Sequence, residues 1–170
     1  KSHGGFVTVV SEPGRGTAFN VHLPASLGAK EMAEQSENTR VRGQQEMILV
    51  VDDEEAIRRA LSLFLIRENY RVLAAADGRE ALTLFAINRH QVALVLTDLM
   101  MPGMSGVALI RALRATAPAL RIVAATGLHD QDRSEELAAL GVTTILAKPC
   151  GYLEILDAVQ RELKARAEKD

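Results

Sequence analysis

From Met47 onward, apolar positions alternate between two periods. Met47–Val51 is an unbroken apolar run that ends on the acids Asp52-Asp53-Glu54-Glu55, and Ile57, Ala60, Leu61, Phe64 and Leu65 then recur at helical spacing through Arg67. Tyr70–Ala75 reads as a second strand, and Asp77-Gly78 turns the chain into a helix carrying Ala81, Leu82, Phe85 and Ala86. Ala93–Thr97 is a third strand, followed by a helix over Ser105–Thr116 that stops before Pro118. Arg121–Ala125 is a fourth strand, with Thr126-Gly127 and an acidic helix start at Asp132–Leu140 behind it. Thr143–Ala147 is a fifth strand closed by Lys148-Pro149, and a last helix puts Leu153, Leu156, Val159 and Leu163 on one stripe.

Five strands alternating with five helices predict an α/β doubly wound parallel sheet of the flavodoxin-like type, with strand order 2-1-3-4-5. The strands are apolar throughout rather than alternating, as expected when helices cover both faces. Ahead of this unit, Phe6–Val10 and Thr17–Leu23 flank the turn Glu12-Pro13-Gly14-Arg15-Gly16 and predict a β-hairpin, which alone is marginal in water and wants a partner sheet. Residues 25–46 are polar, mixed in charge and without sustained apolar period, the signature of a linker, with a short helix expected around Ala29–Gln35. The division is therefore 1–24 hairpin, 25–46 linker and 47–170 α/β domain.

Composition narrows the classes. The chain has 170 residues, 48% of them hydrophobic and 25% charged, with a formal charge of −2, so no basic field invites nucleic acid or an acidic membrane. Tryptophan is absent and aromatics make up 4%, which argues against base-stacking platforms. The single cysteine, Cys150, excludes an internal disulfide and fits a reducing cytoplasm. No apolar run approaches membrane-spanning length, and the first residues resemble no signal peptide. A chain opening on Lys1 is expected to be a piece of something longer.

In an open parallel sheet, ligands bind at the carboxyl ends of the strands. Strands one, three, four and five bring Asp52 and Asp53, Asp98, Thr126 and Lys148 to that edge. Each has an ordinary reading: Asp52 and Asp53 suit a cap for the first helix, Asp98 a turn, Thr126 a loop cap, and Lys148 a solvated lysine. Taken together they suit phosphoryl transfer. Three converging carboxylates repel unless a divalent cation joins them, and Mg2+ favours carboxylate, carbonyl and water oxygens. Such a cation with Lys148 would neutralise an incoming phosphoryl group, the Thr126 hydroxyl would donate to its oxygens, and Asp98 would be the nucleophile.

Residues 47–167 also resemble the receiver domain of bacterial two-component response regulators. The likeness rests on Asp52-Asp53, on Thr97-Asp98-Leu99-Met100-Met101-Pro102-Gly103-Met104-Ser105-Gly106, on Ala125-Thr126-Gly127 and on Lys148-Pro149, in that order. It implies that Asp98 accepts a phosphoryl group from a phosphohistidine, on a histidine kinase or a histidine phosphotransfer domain. It further implies that Asp53, Asp98 and the Met100 carbonyl ligate Mg2+, with Asp52 joining directly or through water, and that Thr126 and Lys148 hold the phosphoryl oxygens. The domain would then catalyse its own phosphorylation and dephosphorylation, carry a cis peptide before Pro149, and switch the face of its fourth helix, fifth strand and fifth helix, residues 132–165. Ile145 stands where the family commonly has an aromatic ring, and Cys150 where an aromatic often follows the Lys-Pro pair.

Residues 2–24, SHGGFVTVVSEPGRGTAFNVHLP, resemble the closing hairpin of the ATP-binding domain of sensor histidine kinases, including the glycine motif Gly14-Arg15-Gly16-Thr17. The catalytic core of such a kinase is not in this sequence, so no ATP binding is expected. Kinase tail, linker and receiver in that order resemble the C-terminal part of a hybrid sensor histidine kinase, which places the fragment in the cytoplasm without membrane contact of its own. Exposed hairpin edges leave pairing into a homodimer open.

Three other readings remain. A phospho-independent interaction module of the same fold would not bind Mg2+. A phosphohydrolase needs an acid two residues after the nucleophile, where Met100 stands. A nucleotide-binding fold needs glycines in the first turn, and Val51-Asp52-Asp53-Glu54 has none. The four histidines, His3, His22, His90 and His129, sit in no phosphorylation or metal motif, and Cys150 reads as a small filler. The apolar Met100 and Leu128 flank the site and are expected to slow attack by water.

Overall fold

The computed structural model describes residues 4–24, 42–127 and 134–164. The chain divides into two compact units, residues 1–41 and 42–170.

In the first unit, β1 (Phe6–Glu12) pairs antiparallel with β2 (Gly16–His22), from Phe6 opposite His22 to Glu12 opposite Gly16. The turn closes through Arg15 N–H to the Glu12 carbonyl at 3.0 Å, with Gly14 and Gly16 at φ of 79° and 94°, which a side chain would resist. The register puts the Val7/Val21 and Val9/Phe19 pairs on one face, yet these residues stay exposed. His22 stacks on Phe6 at 4.5 Å between ring centroids. The helix expected around Ala29–Gln35 lies outside the described residues.

The second unit is built from β3 (Met47–Val51), α1 (Glu55–Arg67), β4 (Arg71–Ala75), α2 (Gly78–Asn88), β5 (Val92–Asp98), α3 (Gly106–Thr116), β6 (Arg121–Thr126), α4 (Ser134–Ala139), β7 (Thr144–Ala147) and α5 (Tyr152–Lys164). All five strands are parallel in the order β4-β3-β5-β6-β7, which is 2-1-3-4-5 when only these strands are counted. The flavodoxin-like expectation is met.

Every residue of β3 is buried because its two faces serve two cores. Leu49 and Val51 join Val95, Leu109, Ile110, Leu113 and Leu137 beneath α2, α3 and α4. Ile48 and Val50 join Leu61, Leu65, Leu94, Leu96, Leu156 and Val159 beneath α1 and α5. Each such side chain taken fully out of water contributes about 1.5–3 kcal/mol, which fixes the strand ends in place and with them the site.

Two helix starts follow from capping chemistry. Asp77 Oδ1 accepts from Arg79 and Glu80 N–H at 2.7 and 2.9 Å, and Ser105 Oγ accepts from Ala108 N–H at 3.3 Å. The polar stretch before β3 is tied in from Gly43. Gly43 N–H donates to the Glu68 carbonyl at 2.9 Å, and Asn69 Nδ2 donates to the Gly43 carbonyl at 2.6 Å.

Candidate functional site

The acids arrive at one edge because three central strands end there together. Asp98 is the last residue of β5, opposite Ala125 of β6, and Asp52 follows the last residue of β3. Asp52 and Asp98 are 4% and 8% exposed, whereas Asp53 faces solvent. Each of the three offers a carboxylate oxygen, and these oxygens lie within 4.8 Å of one another. Among the described residues this is the group of acids, histidines or cysteines able to hold a metal ion, so His22 and His90 are not part of it. His3, His129 and Leu128 lie outside the described residues.

Lys148 crosses to the acids from the end of β7. Its Nζ donates to Asp98 Oδ2 at 2.6 Å and to Asp52 Oδ2 at 3.2 Å. Burial pulls the ammonium pKa down, but the hydrogen bond and charge of Asp98, with those of Asp52 behind them, outweigh it and hold the amine above its usual value. Its backbone N–H donates to the Thr126 carbonyl at 2.6 Å, and the following Lys148–Pro149 peptide is cis, as expected. Thr126 closes β6 at 6% exposure, its hydroxyl 3.3 Å from the Gly127 carbonyl. Met100 N–H donates to Asp98 Oδ1 at 3.1 Å, while its side chain is 55% exposed.

Neither acid of the pair serves as the N-cap of α1. That position is Glu54, whose side chain makes no cap bond, while Asp52 Oδ1 accepts from Glu54 N–H at 2.9 Å. The turn is shaped around the acids instead.

Three positions here carry roles that sequence reasoning missed. Thr97, fully buried, donates its hydroxyl to the Asp98 carbonyl at 2.8 Å. Gly106 packs so closely that a Cβ would lie 2.1 Å from that same carbonyl oxygen. Arg58 of α1 donates to the Asp52 carbonyl at 2.7 Å. Gly106 stands in the quoted motif, but its close approach is a tertiary fact, and Arg58 reads in sequence as one more solvated helix charge.

A cavity of about 530 Å³ opens beside Asp52, Asp98 and Lys148 and runs between α1 and α5 along Ile57, Leu61 and Tyr152. A larger hollow of about 960 Å³ lies at the opposite strand ends, near Val92 and Arg121, away from this chemistry. Cys150 lines the smaller cavity half-buried and packs against the core beneath α1 and α5, and burial pushes its thiol pKa up, away from reactivity.

The profile of the response regulator receiver domain matches residues 48–160. The chain belongs to this family. Sporulation initiation phosphotransferase F of Bacillus subtilis (strain 168) is 33% identical over 122 residues, which cover 72% of this chain and 97% of that protein. Sensor kinase CckA of Brucella abortus (strain 2308) is 30% identical over 174 aligned positions that take in 96% of this chain but 18% of the kinase. Among solved structures, a receiver domain protein of Clostridium thermocellum superposes with a TM-score of 0.69 at 27% identity, covering 73% of this chain and 98% of that one. Chemotaxis protein CheY4 of Vibrio cholerae gives 0.66 at 32% identity, over 70% and 99%. The receiver domain is thus a module of two-component signalling, and no helix among the described residues is long and apolar enough to cross a membrane.

Proposed function

We propose that this receiver accepts a phosphoryl group on Asp98 from a phosphohistidine, with Mg2+ held by Asp53, Asp98 and the Met100 carbonyl and Asp52 joining directly or through water. The observation that carries the reading is the convergence of two buried, lysine-bonded carboxylates, Asp52 and Asp98, with the exposed Asp53 at a strand-end edge. In the transfer, the Asp98 carboxylate forms an O–P bond as the N–P bond of the donor imidazole breaks, and the electron pair leaves with the imidazole nitrogen. The cation, when bound, neutralises charge on the acids and on the phosphoryl oxygens. Lys148 follows the negative charge from Asp98 toward the phosphoryl oxygens, and the Thr126 hydroxyl turns from the Gly127 carbonyl to donate to them. The Met100 N–H holds the carboxylate in orientation throughout.

The donor is a histidine kinase or a histidine phosphotransfer domain, and the domain acts as relay or switch. The hairpin β1–β2 is the closing hairpin of a kinase ATP-binding domain, a reading supported by the wording of residues 2–24 and by an alignment with a sensor kinase that takes in nearly the whole chain. The response travels through α4, β7 and α5. Ile145, half-buried against the core beneath α2 to α4, replaces ring movement there with aliphatic packing.

The test is intact-protein mass after incubation with acetyl phosphate, with and without Mg2+. A gain of one phosphoryl group that needs Mg2+ and disappears in Asp98→Asn is expected. No gain in folded protein would favour a phospho-independent interaction module.

A further inference from the structure

We propose that Arg58 is a positioning residue for the cation site: by holding the Asp52 carbonyl, it aims Asp53 at the acidic cluster. The inference rests on the Mg2+ reading above and adds to it a residue outside the ligand set.

Asp52 is held at all four of its polar atoms. Its N–H donates to the Ala75 carbonyl at 3.3 Å, Oδ1 accepts from Glu54 N–H, and Oδ2 accepts from Lys148. The fourth atom, the carbonyl oxygen, lies past the last register pair of the β3–β5 ladder, Val51 with Thr97, and takes its donor from the Arg58 guanidinium at 2.7 Å. A peptide unit is planar, so fixing the Asp52 carbonyl also fixes the Asp53 N–H and the direction in which the Asp53 Cα leaves the sheet. Asp53 is exposed and has no burial to orient it, yet its carboxylate oxygen comes within 4.8 Å of those of Asp52 and Asp98.

The placement of Arg58 runs against local preference. It sits at the fourth position of α1, near the positive end of the helix dipole, where a cation is disfavoured. A conflict of that kind is expected where a side chain serves a site rather than its own helix. The neighbour Arg59 shares the helix end but faces solvent, so it supplies the charge without the contact.

Charge and positioning predict opposite signs, which makes the inference decidable. Removing a cation bonded to the backbone of Asp52, one of the three acids, would tighten Mg2+ binding if charge were all that mattered. Losing the hydrogen bond that orients Asp53 weakens it, and a charge-assisted bond of this type is strong enough to shift an equilibrium about tenfold. The experiment is a Mg2+ titration followed by backbone amide shifts, with thermal midpoints measured in metal-free buffer. Arg58→Gln is expected to raise the Kd for Mg2+ by about three- to tenfold. Arg58→Lys, which keeps the charge and a donor but not the planar fork, falls between it and wild type. Arg59→Gln leaves the Kd unchanged or lowers it. Wild-type affinity or tighter binding in Arg58→Gln overturns the proposal. If that variant does not fold, Arg58→Lys decides alone, and unchanged affinity in it overturns the proposal equally. A wild-type protein that binds no Mg2+ fails the cation reading itself, an outcome distinct from a wild type that binds and an Arg58→Gln that binds as well.

Discussion

Replacing Gly106 with alanine is expected to unseat Asp98. A Cβ at this position would lie 2.1 Å from the Asp98 carbonyl oxygen and 2.7 Å from the Leu99 Cα, both backbone atoms that no rotamer change can move aside. The approach is held from several sides. Gly106 N–H donates to the Leu99 carbonyl at 3.0 Å, the Asp98 carbonyl accepts from Thr97, and Leu99 N–H reaches across to Ala125 at 3.0 Å. Relief therefore requires α3 to lift or the end of β5 to shift. Overpacking of this type costs about 1–3 kcal/mol, and contact with fixed backbone places it at the upper end. The helical preference of alanine over glycine, about 1 kcal/mol in a helix interior, is smaller at this first position and only partly offsets it. A net loss near 2 kcal/mol lowers the midpoint of a domain of this size by roughly 5–10 °C. The function should suffer more than the fold, because a nucleophile displaced by even about 1 Å can lose on the order of a hundredfold in rate. Thermal melts paired with the rate of phosphoryl uptake from acetyl phosphate, read by intact mass, measure both. A Gly106→Ala protein as stable and as quickly phosphorylated as wild type would refute the steric argument.

Three further outcomes follow from other parts of the fold. Arg114 of α3 donates to the carbonyls of Leu140, Gly141, Pro118 and Leu120, tying the end of α4 to the loop before β6, so Arg114→Met should cost about 2–4 kcal/mol in urea unfolding, and a loss below about 1 kcal/mol would contradict that role. Burial, then the charge of Glu46, raise the Tyr70 phenol pKa above its usual 10.0 against a hydrogen bond from Gln160, so its stabilisation is complete below pH 10 and declines as pH rises toward the folded-state value. Tyr70→Phe should therefore lose less stability than wild type across that alkaline window, and parallel curves would count against it. Met100→Asn replaces an exposed apolar neighbour of Asp98 with a group able to orient water, and the phosphorylated variant should lose its phosphoryl group faster; an unchanged or slower rate would sink the shielding idea.

Most of the second unit was legible because its strands are apolar runs that stop on chemistry-bearing residues. Asp52, Asp98, Thr126 and Lys148 mark strand ends in the sequence, and the parallel sheet brings those ends to one edge. Boundaries moved where pairing is not local. Thr126 belongs to β6 because it pairs with Ala147 of β7, a partner that no window around residue 126 contains. Arg58, Thr97 and Gly106 were illegible for a related reason. Each acts through a backbone carbonyl at or near the site, and a carbonyl leaves no trace in side-chain pattern. The hairpin shows the reverse case, since its pairing was readable from Val, Phe and Gly, whereas Val7, Val9, Phe19 and Val21 stay exposed and their pattern names no partner surface.

Locating the phosphoryl group tests the account most directly. The phosphorylated protein would be reduced with borohydride, which converts an acyl phosphate on aspartate to homoserine, then digested and mapped by mass. Homoserine at position 98, formed only when Mg2+ was present during phosphorylation, is the expected result. Homoserine at position 52 or 53, or none in protein that had gained a phosphoryl group, would contradict the assignment of Asp98 as the acceptor.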